Sequence, residues 1–164
     1  MPRKPASYSH LAITKLNGIG IVSLNRPDVR NAFNETLIAE LTAACHALGE
    51  DAEVRVVILT GNGPSFCAGA DLNWMKKMAG YSYEQNYEDA LGLANMLHTI
   101  HTVKKPTLAR VHGAAFAGGM GLVAARDVAV AAHSAEFCLS GGKLGLVPAT
   151  ISPYVIAAMG ERAA

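Results

Sequence analysis

The spacing of apolar residues along the chain changes character from one segment to the next, and each change predicts an element. His10–Leu16 and Ile19–Leu24 are rich in Ile, Val, Leu and Thr and flank Asn17-Gly18, a dipeptide that accepts positive φ, so they read as an antiparallel hairpin. Asn25-Arg26-Pro27-Asp28 ends the second strand. Behind an Asn34 cap, Leu37, Ile38, Leu41, Ala44, Cys45 and Leu48 recur at helical spacing over Glu35–Leu48, with Gly49 as the expected stop. Val54–Thr60 is nearly all apolar and β-branched, the pattern of a parallel strand buried on both faces. The chain has then passed from hairpin to βαβ. A short helix is expected from Ala70 or Asp71 with Leu72, Trp74, Met75 and Met78, and a longer one over Ser82–Val103. Lys104-Lys105-Pro106 breaks it, and Thr107–Val111 and Val128–Ala132 read as further strands around a helix that opens in a glycine-rich stretch. Glu136–Pro148 reads as irregular, and Ile151–Met159 as a last helix. The alternation predicts one α/β domain over residues 1–164.

Totals narrow the possible functions. A chain of 164 residues that is 51% hydrophobic can bury a real core. Its net charge is +1 and its fourteen Lys and Arg are scattered, which offers nucleic acid no basic field. Cys45, Cys67 and Cys138 form no C-x-x-C pair and no even framework, so they are expected to be reduced and mostly packed, and the cytoplasm is the default compartment. The first residues carry some positive charge without an apolar run behind it, and no apolar segment is long enough to span a bilayer.

Two glycine- and alanine-rich loops stand out, at Phe66–Leu72 and His112–Gly121, each following a buried strand and each opening a helix. Such a junction exposes backbone N–H groups that have no partner inside the helix, so it suits an anionic or developing-anion ligand; it equally suits close helix–sheet packing. If the fold joins the loops, one N–H from each can point at one oxygen, making an oxyanion hole for a polarised carbonyl such as a thioester. Other motifs are missing. The glycines do not match G-x-G-x-x-G, no Gly-Lys-Ser/Thr follows Gly113, and no G-x-S-x-G is present, so Ser65 and Ser140 read as loop serines. His98 and His101 lack H-E-x-x-H or a carboxylate partner, and no metal site is expected. The Trp74, Met75 and Met78 stripe suits a core, or the floor of an acyl pocket.

Three ordered motifs resemble the enoyl-CoA hydratase/isomerase (crotonase) superfamily: Leu24-Asn-Arg-Pro-Asp-Val-Arg-Asn-Ala32, Phe66-Cys-Ala-Gly-Ala-Asp-Leu72 and Val111-His-Gly-Ala-Ala-Phe-Ala-Gly-Gly-Met-Gly121. Asn34-Glu35, the run at 71–78 and Leu146–Tyr154 are most similar to bacterial methylglutaconyl-CoA hydratases. The resemblance implies the ClpP/crotonase spiral of ββα and βαβ units, acyl-CoA as substrate with no separate cofactor, a homotrimer or hexamer, and addition of water across a 2,3-enoyl-CoA in leucine or related branched-chain breakdown. It implies that Ala70 and Gly118 supply the oxyanion N–H groups. Arg30, Ala32, Ala68, Asp71 and Leu72 would then line the path of the CoA moiety, with Ala117 and Ser140 beside the substrate. From the residues alone, the alternative for Arg30 is an exposed loop cation, and Asp71 reads first as a structural cap at a helix start.

The same resemblance exposes two departures. The positions where the family's hydratases carry glutamates are Gly121 and Gly141, so both carboxylates are absent. General acid/base help is commonly worth a factor on the order of a hundred to ten thousand, and the alternative is a catalytically inactive acyl-CoA-binding homologue or a nonfunctional fragment. Superfamily members also continue into a helical C-terminal region, whereas this chain stops at Ala164. The expectation is an N-terminal, acyl-CoA-binding part of the fold whose last strands and helix have uncovered apolar faces.

Overall fold

The computed structural model describes residues 7–164. Strands β1 (Leu11–Leu16) and β2 (Ile19–Leu24) form the predicted hairpin, with Asn17 and Gly18 both at positive φ in the turn. Helix α1 (Glu35–Glu50) follows, then β3 (Val56–Gly61), α2 (Leu72–Met78), α3 (Tyr83–His101), β4 (Thr107–Val111), β5 (Ala114–Phe116), α4 (Gly118–Ala124), β6 (Val128–Ala131), β7 (Glu136–Cys138) and α5 (Ser152–Met159). The main sheet has the order β1-β2-β3-β4-β6. Only β1 and β2 run antiparallel; β2, β3, β4 and β6 are parallel, as intervening helices require. A two-stranded parallel sheet of β5 and β7 stands apart from it.

The core lies between the main sheet and α1, α3 and α4. Phe33, Leu37, Leu41, Leu59, Met96, Leu97, Ile100 and Leu122 are all fully buried. At about 1.5–3 kcal/mol for each large apolar side chain removed from water, this cluster dominates the favourable side of folding. Asn34 caps α1 by accepting from the Leu37 amide at 2.9 Å, and Ser82 and Gln85 form a capping box at the start of α3.

Some boundaries differ from expectation. Helix α1 runs through Gly49 to Glu50, because Lys105 reaches its last turn and donates to the Leu48 carbonyl at 2.8 Å and to the Asp51 carbonyl. The segment expected to be irregular contains β7 and a 3-10 turn over Ser140–Leu144, and β5 falls inside the glycine-rich stretch. Each of these strands is three residues long and exists by pairing with the other, which leaves no periodicity to read. Strand β6 is exposed throughout at the sheet edge, and Val147, Ile156 and Met159 are exposed as well.

Gly121, on α4, is buried against the residue that leads into α5. A methyl group placed there would stand 2.8 Å from Ile151 Cβ, closer than real Cβ contacts allow. Gly121→Ala should therefore cost about 1–3 kcal/mol of stability, read as a lowered urea midpoint at unchanged slope. Ile151→Ala in the same background should recover part of that loss.

Candidate functional site

Three adjacent parallel strands end on one edge of the sheet, and the loops that leave β2, β3 and β4 meet there. Loops at the carboxyl ends of parallel strands are the usual place for a site in such a sheet. Here they are sewn together by backbone hydrogen bonds. Phe33 donates to the Gly69 carbonyl at 2.7 Å and accepts from Asp71 at 2.8 Å, while Ala68 donates to the Arg30 carbonyl at 3.0 Å. On the other side, Cys67 donates to Ala114 at 3.0 Å and accepts from Phe116 at 2.9 Å, and Ala117 donates to Cys138 at 2.8 Å. The segment Cys67–Asp71 thus lies between the Arg30–Phe33 loop and β5, bridged in parallel to both.

This pairing decides where the Ala70 amide points. Successive backbone groups of extended chain face opposite sides, and the groups flanking Ala70, the Gly69 carbonyl and the Asp71 amide, both face Phe33. The Ala70 N–H therefore faces away from Phe33, toward the start of α4. Gly69 makes the reversal with φ +96°, and a methyl group on it would sit 3.6 Å from the Gly118 nitrogen, so the two loops are in van der Waals contact at this point. Among the described residues, neither the Ala70 nor the Gly118 amide has an assigned acceptor. Ala117, just before Gly118, adopts φ 47° and ψ −117°, a strained conformation for a residue with a Cβ and the kind of cost, about 1–3 kcal/mol, that a site can carry. The Phe33 ring occupies the space where a Gly118 side chain would be.

Two cavities meet at these amides. The larger, about 550 Å³, is lined by Arg30, Ala32, Ala68, Ala70, Asp71, Leu72, Ala117, Ser140 and Gly141 among others, so it brings together most of the residues singled out from sequence. The smaller, about 140 Å³, is lined by Ala70, Trp74, Ala117, Gly118, Gly141 and Ile151 with further apolar side chains and Thr150. Gly121 lines neither, since Ile151 fills the space beside it. Gly141 lines both, and a side chain added there would first meet Leu146 at 3.6 Å, an ordinary contact.

Charge is arranged unevenly. Arg30 and Lys76, both exposed, stand on the larger cavity with Asp28. Among the described residues, no ionisable side chain lines the smaller one. Asp127 is committed elsewhere, accepting from the Thr107 amide at 2.7 Å, and Glu136 belongs to β7; neither lines a cavity at the amides. Burial pushes the Cys67 thiol up to about 12, which leaves it inert. Among the described residues no cluster of three His, Cys, Asp or Glu could hold a metal ion, and no described helix is long and apolar enough to cross a membrane.

Asp71 is both a cap and a clamp. Its Oδ1 accepts from the Asn73 amide at 2.8 Å at the start of α2, and its Oδ2 pairs with Arg26 at 2.9 Å. Arg26 also donates to the Ala32 carbonyl at 2.5 Å, and the fully buried Asn31 side chain accepts from the Arg26 amide while donating to the Asn62 and Ser65 carbonyls. Neither Arg26 nor Asn31 stood out in the sequence; the available signal was an Asn in a turn, where left-handed φ and side-chain-to-backbone bonds are common, and both Arg30 and Asn31 have φ above 50°.

A family profile described as Enoyl-CoA hydratase/isomerase matches residues 14–164. The chain belongs to this family. It is 48% identical to a crystal structure from Legionella pneumophila described as an enoyl-CoA hydratase/isomerase (crotonase), with a TM-score of 0.93 over 96% of this chain and 61% of that one. For an enoyl-CoA hydratase from Shewanella pealeana the values are 44%, 0.91, 94% and 58%. A Thermus thermophilus protein named as an enoyl-CoA hydratase is 38% identical over 146 residues, which is 89% of this chain and 58% of that relative. The chain thus spans well under two thirds of these family members. The spiral of ββα and βαβ units expected from the motifs is the fold observed.

The Asp71 clamp gives the loop cluster a pH dependence. Burial alone would raise the Asp71 carboxyl, but the Arg26 guanidinium and the amides of Asn73 and Trp74 outweigh it and hold the group below its ordinary range. The resulting stability is complete above the unfolded aspartate value of about 3.9 and is lost as pH falls through the lower folded value. Asp71→Asn should cost up to about 3 kcal/mol at pH 7, and in urea titrations the difference from the unaltered protein should shrink progressively as pH falls below about 4.

Proposed function

We propose that this chain carries the thioester-binding, carbonyl-polarising part of an enoyl-CoA hydratase-type site. The observation that supports it is the pair of unengaged amides, Ala70 and Gly118, on loops in contact where the two cavities meet. A thioester oxygen accepting from both would take up the negative charge that develops when the 2,3-enoyl group is attacked. The CoA moiety would lie in the larger cavity, its phosphates near Arg30 and Lys76, and the acyl chain in the smaller. In the reaction, the oxygen of water bonds to the β-carbon and gives up one proton, the C2–C3 π electrons move onto the thioester as an enolate, and one proton is delivered to the α-carbon as the enolate collapses. One water and one enoyl thioester give one 3-hydroxyacyl thioester, with no change in the number of protons.

The substrate class is a short, branched 2,3-enoyl-CoA of the kind met in leucine and related breakdown. Methylglutaconyl-CoA is its carboxylated member, yet the lining of the smaller cavity offers a free carboxylate the Thr150 hydroxyl and no cation among the described residues, so the uncharged branched thioesters suit that chamber better.

A second reading has its own support. The family's glutamate positions are glycines here, one of them filled over by Ile151, so acyl-CoA binding without turnover is the alternative. Loss of the conjugated enoyl-thioester absorbance separates the two. With crotonyl-CoA and methylglutaconyl-CoA the unaltered chain should show slow turnover or none, and Gly141→Glu, whose Cβ would make only ordinary contacts on a wall of both cavities, should raise the rate by about a hundredfold or more. Fast turnover by the unaltered chain would exclude the inactive reading. Failure of the unaltered chain to bind any acyl-CoA would overturn the site.

A further inference from the structure

A third cavity, about 480 Å³, lies among α1, α2 and α3, lined by the apolar Ile38, Ala39, Ala43 and Gly92 and by the polar Glu35, Thr42, Glu88, Asp89 and Asn95. It shares one lining residue with the 140 Å³ chamber beside the Ala70 and Gly118 amides: Trp74. On either side of the indole the two linings come from neighbouring positions, Leu93 against Gly92 on α3 and Phe33 against Glu35 around the start of α1. Trp74 is only 7% exposed, and its Nε1 has no hydrogen-bond partner among the described residues, so packing alone holds the ring in place. It stands three residues after Asp71, the residue clamped by Arg26 next to the Ala70 amide, and so one helical turn from the carbonyl-binding position. The chamber on the near side has room for about five water-sized groups at roughly 30 Å³ each, which is the size of a short acyl chain.

We propose that Trp74 is the specificity-determining partition of the acyl chamber: its indole closes the short chamber off from the cavity among α1, α2 and α3, and removing it joins the two into a channel for longer acyl chains. The inference rests on the smaller cavity being the acyl chamber. It adds which residue sets the chain length and where a longer chain would run. Ile38, Ala39 and Ala43 offer a hydrocarbon tail an aliphatic strip in the far cavity, beside the polar Glu35, Thr42 and Asp89. Gly92 opens directly onto free space, since nothing lies within 4 Å of a methyl group placed there. Breaching the partition also leaves no buried hydrogen-bond partner stranded, as Nε1 engages none.

Binding of saturated acyl-CoA thioesters tests this without turnover. Trp74 is the only tryptophan, so its emission reports the chamber directly. Butyryl-CoA should change the emission of the unaltered protein, whereas CoA without an acyl group should not. By calorimetry, the unaltered protein should bind butyryl-CoA more tightly than octanoyl-CoA. Trp74→Ala should invert that order, with a gain for octanoyl-CoA of about tenfold or more from the added buried methylenes. Adding Gly92→Leu to Trp74→Ala refills the far cavity and should return the preference to the short chain. Trp74→Leu carries the same comparison if the alanine variant does not fold. An unchanged chain-length order in the folded variant, while both proteins bind CoA thioesters, overturns the partition alone. If no form binds any acyl-CoA, the acyl chamber itself is refuted and the partition with it.

Discussion

Everything at this site depends on one short extended segment, Cys67–Asp71, held on both sides by backbone hydrogen bonds. With Phe33 on one flank and β5 on the other, the segment has almost no freedom to rotate, and the alternation of peptide directions then forces the Ala70 amide to face away from Phe33. A donor fixed in this way needs no reorganisation when charge develops in front of it, and that is where electrostatic stabilisation is worth most. The arrangement uses main-chain groups alone. It consequently places its demands on backbone geometry: positive φ at Gly69, the strained Ala117, and a bare Cα at Gly118 under the Phe33 ring.

Around this segment, a second set of contacts resists slippage of the loops relative to one another. Arg26 ties the loop after β2 to the start of α2 through Asp71, and Asn31 ties the same loop to the end of β3 and the residues beyond it. Paired charges with little exposure are costly to separate, because each would be left in poor solvent without a partner. The clamp is thus positional rather than chemical: its groups are consumed by one another and by backbone, and Arg30 and Lys76 are the cations left on the cavity surface.

Gly121 and Gly141 differ in the space around them. At one of the two glycine positions the fold has closed the gap, with Ile151 packed where a longer side chain would have to pass; at the other, Gly141, the space remains open onto both cavities. The two glycines are therefore physically unlike: Gly121 is closed in by the packing of α4 on the α5 segment, whereas Gly141 stands on an open wall.

The local pattern of residues was enough to determine the hairpin at Asn17-Gly18, the amphipathic faces of α1 and α3, the buried strands β3 and β4, and the two glycine loops that motif resemblance tied to thioester chemistry. These features are legible because turn chemistry, 3.6-residue spacing and β-branched runs act over a few neighbouring positions. Tertiary structure decided the rest. Strand β7 forms by pairing with β5, which also pairs with Cys67 on its other side, α1 continues past Gly49 where Lys105 arrives from far along the chain, and the roles of Arg26 and Asn31 follow from which loops come to lie beside them. The same holds for Trp74: its spacing marked it as core or pocket floor, and only packing of three helices made it a wall between two cavities. Each of these depends on contacts between residues distant in sequence, and their energy is set by positions that no local pattern encodes.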